Sequence, residues 1–155
     1  MSLYARESHV PVEEEQPMRL RRIIVCMTLL ILSVRVTAPL GAGTRFPEVT
    51  VDQARELIHK RGGDAQFVIL DVRTPEEFAE GHLSGAVNVN LLAPDFESRV
   101  GALERGKTYL VYCRSGNRSA RAIQVMERLG FRSVHHMFEG IIGWQKKAFP
   151  LSKSS

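Results

Sequence analysis

The sequence predicts an α/β domain whose central, mostly parallel sheet is covered by helices on both faces. From about residue 50 onward, short apolar runs alternate with segments in which apolar residues recur at helical spacing. Glycine, proline and asparagine residues mark the turns between these segments. Strands that alternate with helices pair in parallel, because each helix carries the chain back to the start of the next strand.

Specific residues mark the helix starts in this region. Thr50 with Gln53, and Thr74 with Glu77, have the form of capping boxes, and Pro75 stands at the first position of the second helix. Glycines follow several of the periodic segments and are placed to end them. The predicted strands are 67–70, 86–89, 109–112 and 133–137, and the predicted helices are 51–61, 75–80, 96 to near 106, 119 to near 130, and 141–148.

The 155-residue chain has room for one domain and an N-terminal appendage. Residues 1–17 are polar and are predicted to be disordered. Residues 18–43 contain a basic cluster, a short apolar run and a series of small residues, which is the pattern of a signal peptide. We therefore predict that residues 44–155 form the domain and that the protein is exported, either periplasmic or secreted.

Two alternatives stay open for the leader. Residues 23–34 are fewer than the roughly 20 apolar residues of an ordinary transmembrane helix, but they would anchor the protein in a membrane if the leader were not cleaved. Translation that begins at Met18 instead of Met1 would account for the polar tail ahead of the basic cluster. A membrane is predicted as a partner only if the leader remains attached.

One cysteine stands at a position suited to catalysis. Cys113 follows the apolar strand 109–112 and precedes a small, polar, glycine-containing loop that leads into a helix. The N–H groups of such a loop have few partners and can point inward at an anion, and Arg114 and Arg118 add positive charge. These surroundings lower the pKa of a cysteine, so Cys113 is predicted to be a nucleophile. The alternative is a small apolar residue beside a solvated basic turn.

Three motifs support a more specific prediction. They are VILDVRTPEEFAEGHLSGAVNV at 68–89, CRSGNRS at 113–119 and FEGIIGW at 138–144. In sequence and in order they resemble the signatures of the single-domain rhodaneses, the thiosulfate sulfurtransferase-like proteins, and the resemblance covers roughly residues 46–150. It implies a rhodanese-like fold and a sulfurtransferase that needs no cofactor. Cys113 would carry sulfur as a persulfide, from a small anionic donor such as thiosulfate to a thiol or cyanide acceptor.

The other site residues are predicted from the same motifs. Either Arg114 or Arg118, or both, would hold the sulfonate end of thiosulfate or stabilise the thiolate, the alternative being one exposed arginine and one structural ion pair. A general-base role is conceivable for Asp71, but a structural network is favoured. The predicted donor-binding loop is Arg114, Ser115, Gly116, Asn117, Arg118 and Ser119, and the predicted structural polar network is Asp71, Arg73 and Glu77.

Composition argues against other classes of function. The net charge is only +4 and there is no long basic run, so nucleic-acid binding is not predicted. The two cysteines, Cys26 and Cys113, have no zinc-type spacing with histidine, so no metal is expected. A noncatalytic sulfur-carrier or binding module stays open, as does a Cys-dependent phosphatase. The phosphatase loop, however, is one residue longer than the four residues between Cys113 and Arg118.

Overall fold

The computed structural model describes residues 45–153; the predicted disordered segment at 1–17 and the signal peptide or anchor at 18–43 lie outside them. Among the described residues, no helix is both long and apolar enough to cross a membrane. In chain order the elements are β1 (Glu48–Val49), α1 (Val51–Arg61), β2 (Phe67–Asp71), α2 (Pro75–Glu80), β3 (Ala86–Asn88), α3 (Phe96–Gly101), β4 (Thr108–Tyr112), α4 (Asn117–Arg128), β5 (Ser133–Met137) and α5 (Gly140–Lys146).

The strands form one parallel sheet in the order β1-β5-β4-β2-β3. The predicted α/β class is therefore confirmed, and every pairing in this sheet is parallel. β4 lies at the centre, with β5 on one side and β2 on the other. The residue that follows β4 consequently emerges at the middle of the sheet's carboxyl edge, where ligands bind in open α/β sheets.

Each face of the sheet has its own apolar core. Along β4, Tyr109 and Val111 belong to one core while Leu110 and Tyr112 belong to the other, as the two-residue repeat of a strand requires. Both faces are thus covered, which explains why β4 is apolar throughout. The first core includes Phe96 and Val100 of α3 and Ala122, Ile123 and Met126 of α4, and the second includes Val51 and Ala54 of α1 and Ile141 and Trp144 of α5.

The predicted boundaries differ from the structure at three helices. α3 ends at Gly101 instead of near Gly106, because turns replace the helix beyond it: Leu103 N–H donates to the Val100 carbonyl. α4 begins two residues earlier than predicted, at Asn117. α5 ends at Lys146 because Ala148 has a φ of 53°, which no right-handed helix contains. The two-residue strand β1 was too short to show a pattern.

A buried ion pair closes the carboxyl end of β2. The Arg73 side chain donates from Nε to both oxygens of Asp71 and from Nη2 to Oδ2, at 2.6 to 3.0 Å, and its backbone N–H donates to Oδ1. Arg73 also donates to the Gly81 carbonyl at 2.7 Å, which ties the end of α2 to the sheet. Both carboxylate oxygens of Asp71 thus accept hydrogen bonds from Arg73, and the structural role of Asp71 stays a prediction.

A second ion pair joins α2 to α4 across the same edge. Both carboxylate oxygens of Glu77 accept hydrogen bonds from the Arg118 guanidinium, at 2.5 and 2.7 Å. These bonds outweigh the opposite effect of partial burial and lower the pKa of Glu77 to about 2. The predicted network of Asp71, Arg73 and Glu77 therefore consists of two ion pairs, and the partner of Glu77 is Arg118.

Replacing Glu77 should lower stability in a pH-dependent way. Because the folded-state pKa lies below the usual value of 4.5, the carboxylate stabilises the fold above that value, and its contribution is lost as the pH falls towards 2. With allowance for solvent screening, Glu77→Gln should lower the free energy of unfolding at neutral pH by about 1 to 2 kcal/mol. Urea denaturation over a pH series measures this difference.

Glu80→Gln is the matched control, since Glu80 is exposed on the same helix. The difference in the free energy of unfolding between Glu77→Gln and the wild type should disappear under acid conditions. The free energy of unfolding of the control should match that of the wild type at every pH. A difference that stays constant with pH would mean that the substitution acts through packing and not through the charge.

Candidate active site

Cys113 is the first residue after β4, and its loop is held by the start of α5. The backbone N–H of Ile141 donates to the Cys113 carbonyl at 2.9 Å, and that of Ile142 donates to the Arg114 carbonyl at 3.2 Å. Two successive carbonyls of the loop are thereby paired with the start of α5. The N–H groups that follow are free to face the sulfur, as in an anion-binding turn.

Two glycines allow the loop and the segment before α5 to approach this closely. Gly116 has a φ of 92°, and a Cβ there would lie 2.1 Å from the Phe138 carbonyl oxygen. Gly140 has a φ of 62°, and a Cβ there would lie 2.4 Å from the Arg114 carbonyl oxygen. Both positions require glycine for its left-handed conformation and for its lack of a side chain. The motifs at 113–119 and 138–144 therefore build one structure.

Several donors converge on the Cys113 sulfur. Sγ accepts from the Gly116 N–H at 3.2 Å and from the Ser119 hydroxyl at 3.4 Å. Burial has the largest single effect and by itself raises the pKa of the thiol; hydrogen bonds from the Ser119 hydroxyl and from the N–H groups of Ser119, Ser115 and Gly116 oppose it. Together these bonds outweigh burial, so the pKa of Cys113 lies below its usual value. A thiolate is the reactive form of cysteine.

The two arginines of the loop occupy different surroundings. Arg114 is exposed at the rim. Arg118 is partly buried and paired with Glu77; that pairing raises the pKa of Arg118, and the charge of Cys113 makes a smaller contribution in the same direction. The hydrogen bonds of the Arg118 guanidinium go to the Glu77 carboxylate. Donor binding by either arginine stays a prediction.

The remaining predicted loop residues are either exposed or buried. Ser115 and Asn117 are exposed, and Asn117 is the first residue of α4. Gly116 and Ser119 are buried, and both contact the Cys113 sulfur. Only 1% of Cys113 is exposed, so a donor molecule meets the rim before it meets the sulfur.

The sequence analysis missed one residue of this site, His136 on β5. Its Nε2 lies 2.9 Å from the Ser119 hydroxyl oxygen, and the residue is 4% exposed. Adjacent residues of a strand point to opposite faces of the sheet, so His135 and His136 lie on different faces. His136 shares its face with Val134, which packs in the same core as α4, and that signal could have located it beside the loop.

The site has no features of a metal centre or a large ligand pocket. Within residues 45–153, no group of three or more His, Cys, Asp or Glu side chains is arranged to hold a metal ion. Surface cavities of about 400, 360 and 430 Å³ are lined by residues from 45–60 and 132–135, and Cys113 borders none of the three.

Comparison with known proteins identifies the family. The sequence profile of the rhodanese-like domain matches residues 50–147. Rhodanese-like domain-containing protein 17 of Arabidopsis thaliana is 32% identical over 115 residues, which cover 66% of this chain and 70% of the relative. Thiosulfate sulfurtransferase 16, chloroplastic, of the same plant is 36% identical over 91 residues, covering 52% of this chain and 76% of the relative.

A solved structure agrees with the sequence relatives. The crystal structure of a rhodanese-related protein from Thermoplasma volcanium has a TM-score of 0.58 and 26% sequence identity, and the match covers 70% of this chain and 100% of that one. Because the family profile spans more than half of the chain and the solved fold agrees, the resemblance noted in the sequence is confirmed. The chain belongs to the rhodanese-like domain family.

Proposed function

We propose that this protein is a sulfurtransferase that moves a sulfane sulfur from a donor such as thiosulfate to a thiophilic acceptor through a persulfide on Cys113. The observation that carries the proposal is the convergence of the Gly116 N–H and the Ser119 hydroxyl on the cysteine sulfur. Donors fixed in advance stabilise charge at low cost, because they need not reorganise during the reaction.

The first step loads the cysteine. The Cys113 thiolate attacks the outer sulfur of thiosulfate, a new S–S bond forms, and the old S–S bond breaks with its electron pair leaving on sulfite. The product is Cys113-S-S⁻, whose charge rests on the terminal sulfur. We expect the exposed Arg114 to attract the sulfonate end of the donor, and the backbone donors of the loop to stabilise the sulfur anion.

The second step removes the sulfur from Cys113. A thiophilic acceptor attacks the terminal sulfur, the S–S bond to Cys113 breaks, and its electron pair returns to the cysteine as thiolate. Cyanide leaves as thiocyanate, and a thiolate acceptor leaves as a persulfide. No net oxidation occurs and no cofactor takes part. The name of the Arabidopsis relative, a thiosulfate sulfurtransferase, supports this choice of reaction.

Cys113→Ser should abolish sulfur transfer from thiosulfate to cyanide, since a hydroxyl neither ionises at neutral pH nor forms a persulfide. The measurement is thiocyanate release under saturating donor. Cys26→Ser is the matched control, because Cys26 is the other cysteine of the chain and should be dispensable. Full activity of the Cys113→Ser variant would overturn the proposal. A wild type that binds sulfur without releasing it to cyanide or a thiol would instead indicate a sulfur carrier.

Arg114→Ala should raise the KM for thiosulfate about tenfold, the usual effect of losing a hydrogen bond to a charged group, with little change in kcat. Because Arg114 is exposed, the free energy of unfolding should change by no more than about 0.5 kcal/mol. Arg121→Ala, which removes an exposed arginine from α4, should leave both parameters unchanged. Equal effects of the two variants would mean that Arg114 contributes only to the general positive field.

The wild type should not hydrolyse aryl phosphates. A phosphoryl group needs donors around three equatorial oxygens, whereas this loop is held against residues 138–142 and surrounds a single sulfur atom.

Inserting one glycine between Ser115 and Gly116 should reduce sulfur transfer on the order of 100-fold, since a misplacement of about 1 Å has that effect. Side-by-side assays of both proteins on thiosulfate and on an aryl phosphate test this. Efficient Cys113-dependent phosphatase activity in the wild type, with no persulfide formed, would reverse the assignment.

A further inference from the structure

One buried ionisable residue beside the site has no part in the mechanism above. His136 lies on β5, next to the central strand, and only 4% of it is exposed. Its Nε2 faces two oxygens of the catalytic loop region: the Ser119 hydroxyl at 2.9 Å and the Gly116 carbonyl at 3.3 Å. Ser119 in turn contacts the Cys113 sulfur. The contacts therefore form a chain from β5 to the nucleophile.

The surroundings of His136 favour a proton on one ring nitrogen over the other. The Gly116 carbonyl oxygen can only accept, so an unprotonated Nε2 would set two lone pairs against each other in a buried site. The charged group that faces the other nitrogen is Glu48 on β1, 3.5 Å from Nδ1. Its carboxylate favours a proton on Nδ1, but it is 65% exposed, so solvent screens this effect more than the buried contact at Nε2. A proton on Nε2 is therefore favoured in the neutral ring, and it is also present in the charged ring.

The Ser119 hydroxyl has one proton and two acceptors. Its oxygen lies 2.8 Å from the Gly116 carbonyl oxygen and 3.4 Å from the Cys113 sulfur. If the hydroxyl turned to the sulfur, the buried carbonyl would keep the bond that it accepts from the Ala120 N–H at 2.9 Å but would lose the hydroxyl as its second donor. The Nε2–H of His136 can bond to the hydroxyl oxygen and to that carbonyl, so it removes the cost of the turn.

We propose that His136 is a positioning residue that directs the Ser119 hydroxyl onto the Cys113 sulfur by donating from Nε2 to the Ser119 oxygen and the Gly116 carbonyl. His136 touches neither donor nor acceptor, and it acts only through Ser119. Any consequence of this contact for sulfur transfer rests on the proposed sulfurtransferase function, whereas its effect on the reactivity of the Cys113 thiolate does not.

A double-mutant cycle on thiolate reactivity tests this inference. The readout is the rate of iodoacetamide alkylation of Cys113 over a pH series, in full-length protein with Cys26→Ser. His136→Leu and Ser119→Ala should each slow alkylation about tenfold at a pH below the thiol pKa, the scale of one hydrogen bond to a charged group. The double variant should be no slower than either single variant, since both remove the same bond.

Two further variants separate positioning from packing. His136→Gln carries an amide N–H at the same distance along the side chain as Nε2 and should restore most of the rate. His135→Gln, on the opposite face of β5, is the matched control and should behave as the wild type. Losses that multiply in the His136→Leu, Ser119→Ala double variant would overturn the proposal, as would a Gln variant no better than Leu.

A measurement on the unaltered chain covers the case in which His136→Leu does not fold. The ¹⁵N shifts of the His136 ring report the tautomer directly, and we expect a protonated Nε2 over the whole folded pH range. A neutral ring protonated on Nδ1 would contradict the proposal. Neither this readout nor alkylation uses sulfur transfer, so a protein that passes both tests but fails to transfer sulfur would overturn only the proposed function.

Discussion

The whole site depends on backbone hydrogen bonds from the start of α5 to the loop after β4. The N–H groups of Ile141 and Ile142 donate to the carbonyls of Cys113 and Arg114, and the Gly116 N–H that follows in the loop donates to the Cys113 sulfur. Such close approach of two backbones is compatible only with glycine at 116 and 140. The motifs at 113–119 and 138–144, which are separate in sequence, therefore pack as one structure. The central position of β4 places that structure at the carboxyl edge of the sheet.

Neutral donors, more than charged side chains, set the chemistry of the sulfur. Of the two arginines in the loop, Arg118 makes its hydrogen bonds to Glu77, and Arg114 is exposed to solvent. The N–H groups and one hydroxyl lower the pKa of Cys113 against the effect of burial. These donors converge on a single atom, the cysteine sulfur, as the proposed sulfur transfer requires, and they leave little excess positive charge for a phosphate dianion.

Local signals in the sequence predicted much of this arrangement. The capping boxes at Thr50 and Thr74 were correct because they use residues only three positions apart. The position of Cys113 after a buried strand followed from apolar patterning. The partner of Glu77 and the contact of His136 with Ser119 could not be predicted, because they join segments that meet only after the sheet has assembled. The early end of α3 could not be predicted, because Leu103 follows Phe96 and Val100 at helical spacing. Leu103 packs against the same core but lies in a turn.

The central claim is that Cys113 accepts a single sulfur atom and holds it as a persulfide. Intact-mass spectrometry of the full chain before and after thiosulfate, with peptide mapping, tests it most directly. The account predicts a gain of one sulfur atom, located on the peptide that contains Cys113 and lost on addition of cyanide. A protein whose mass does not change, or whose added sulfur maps to Cys26, would contradict it.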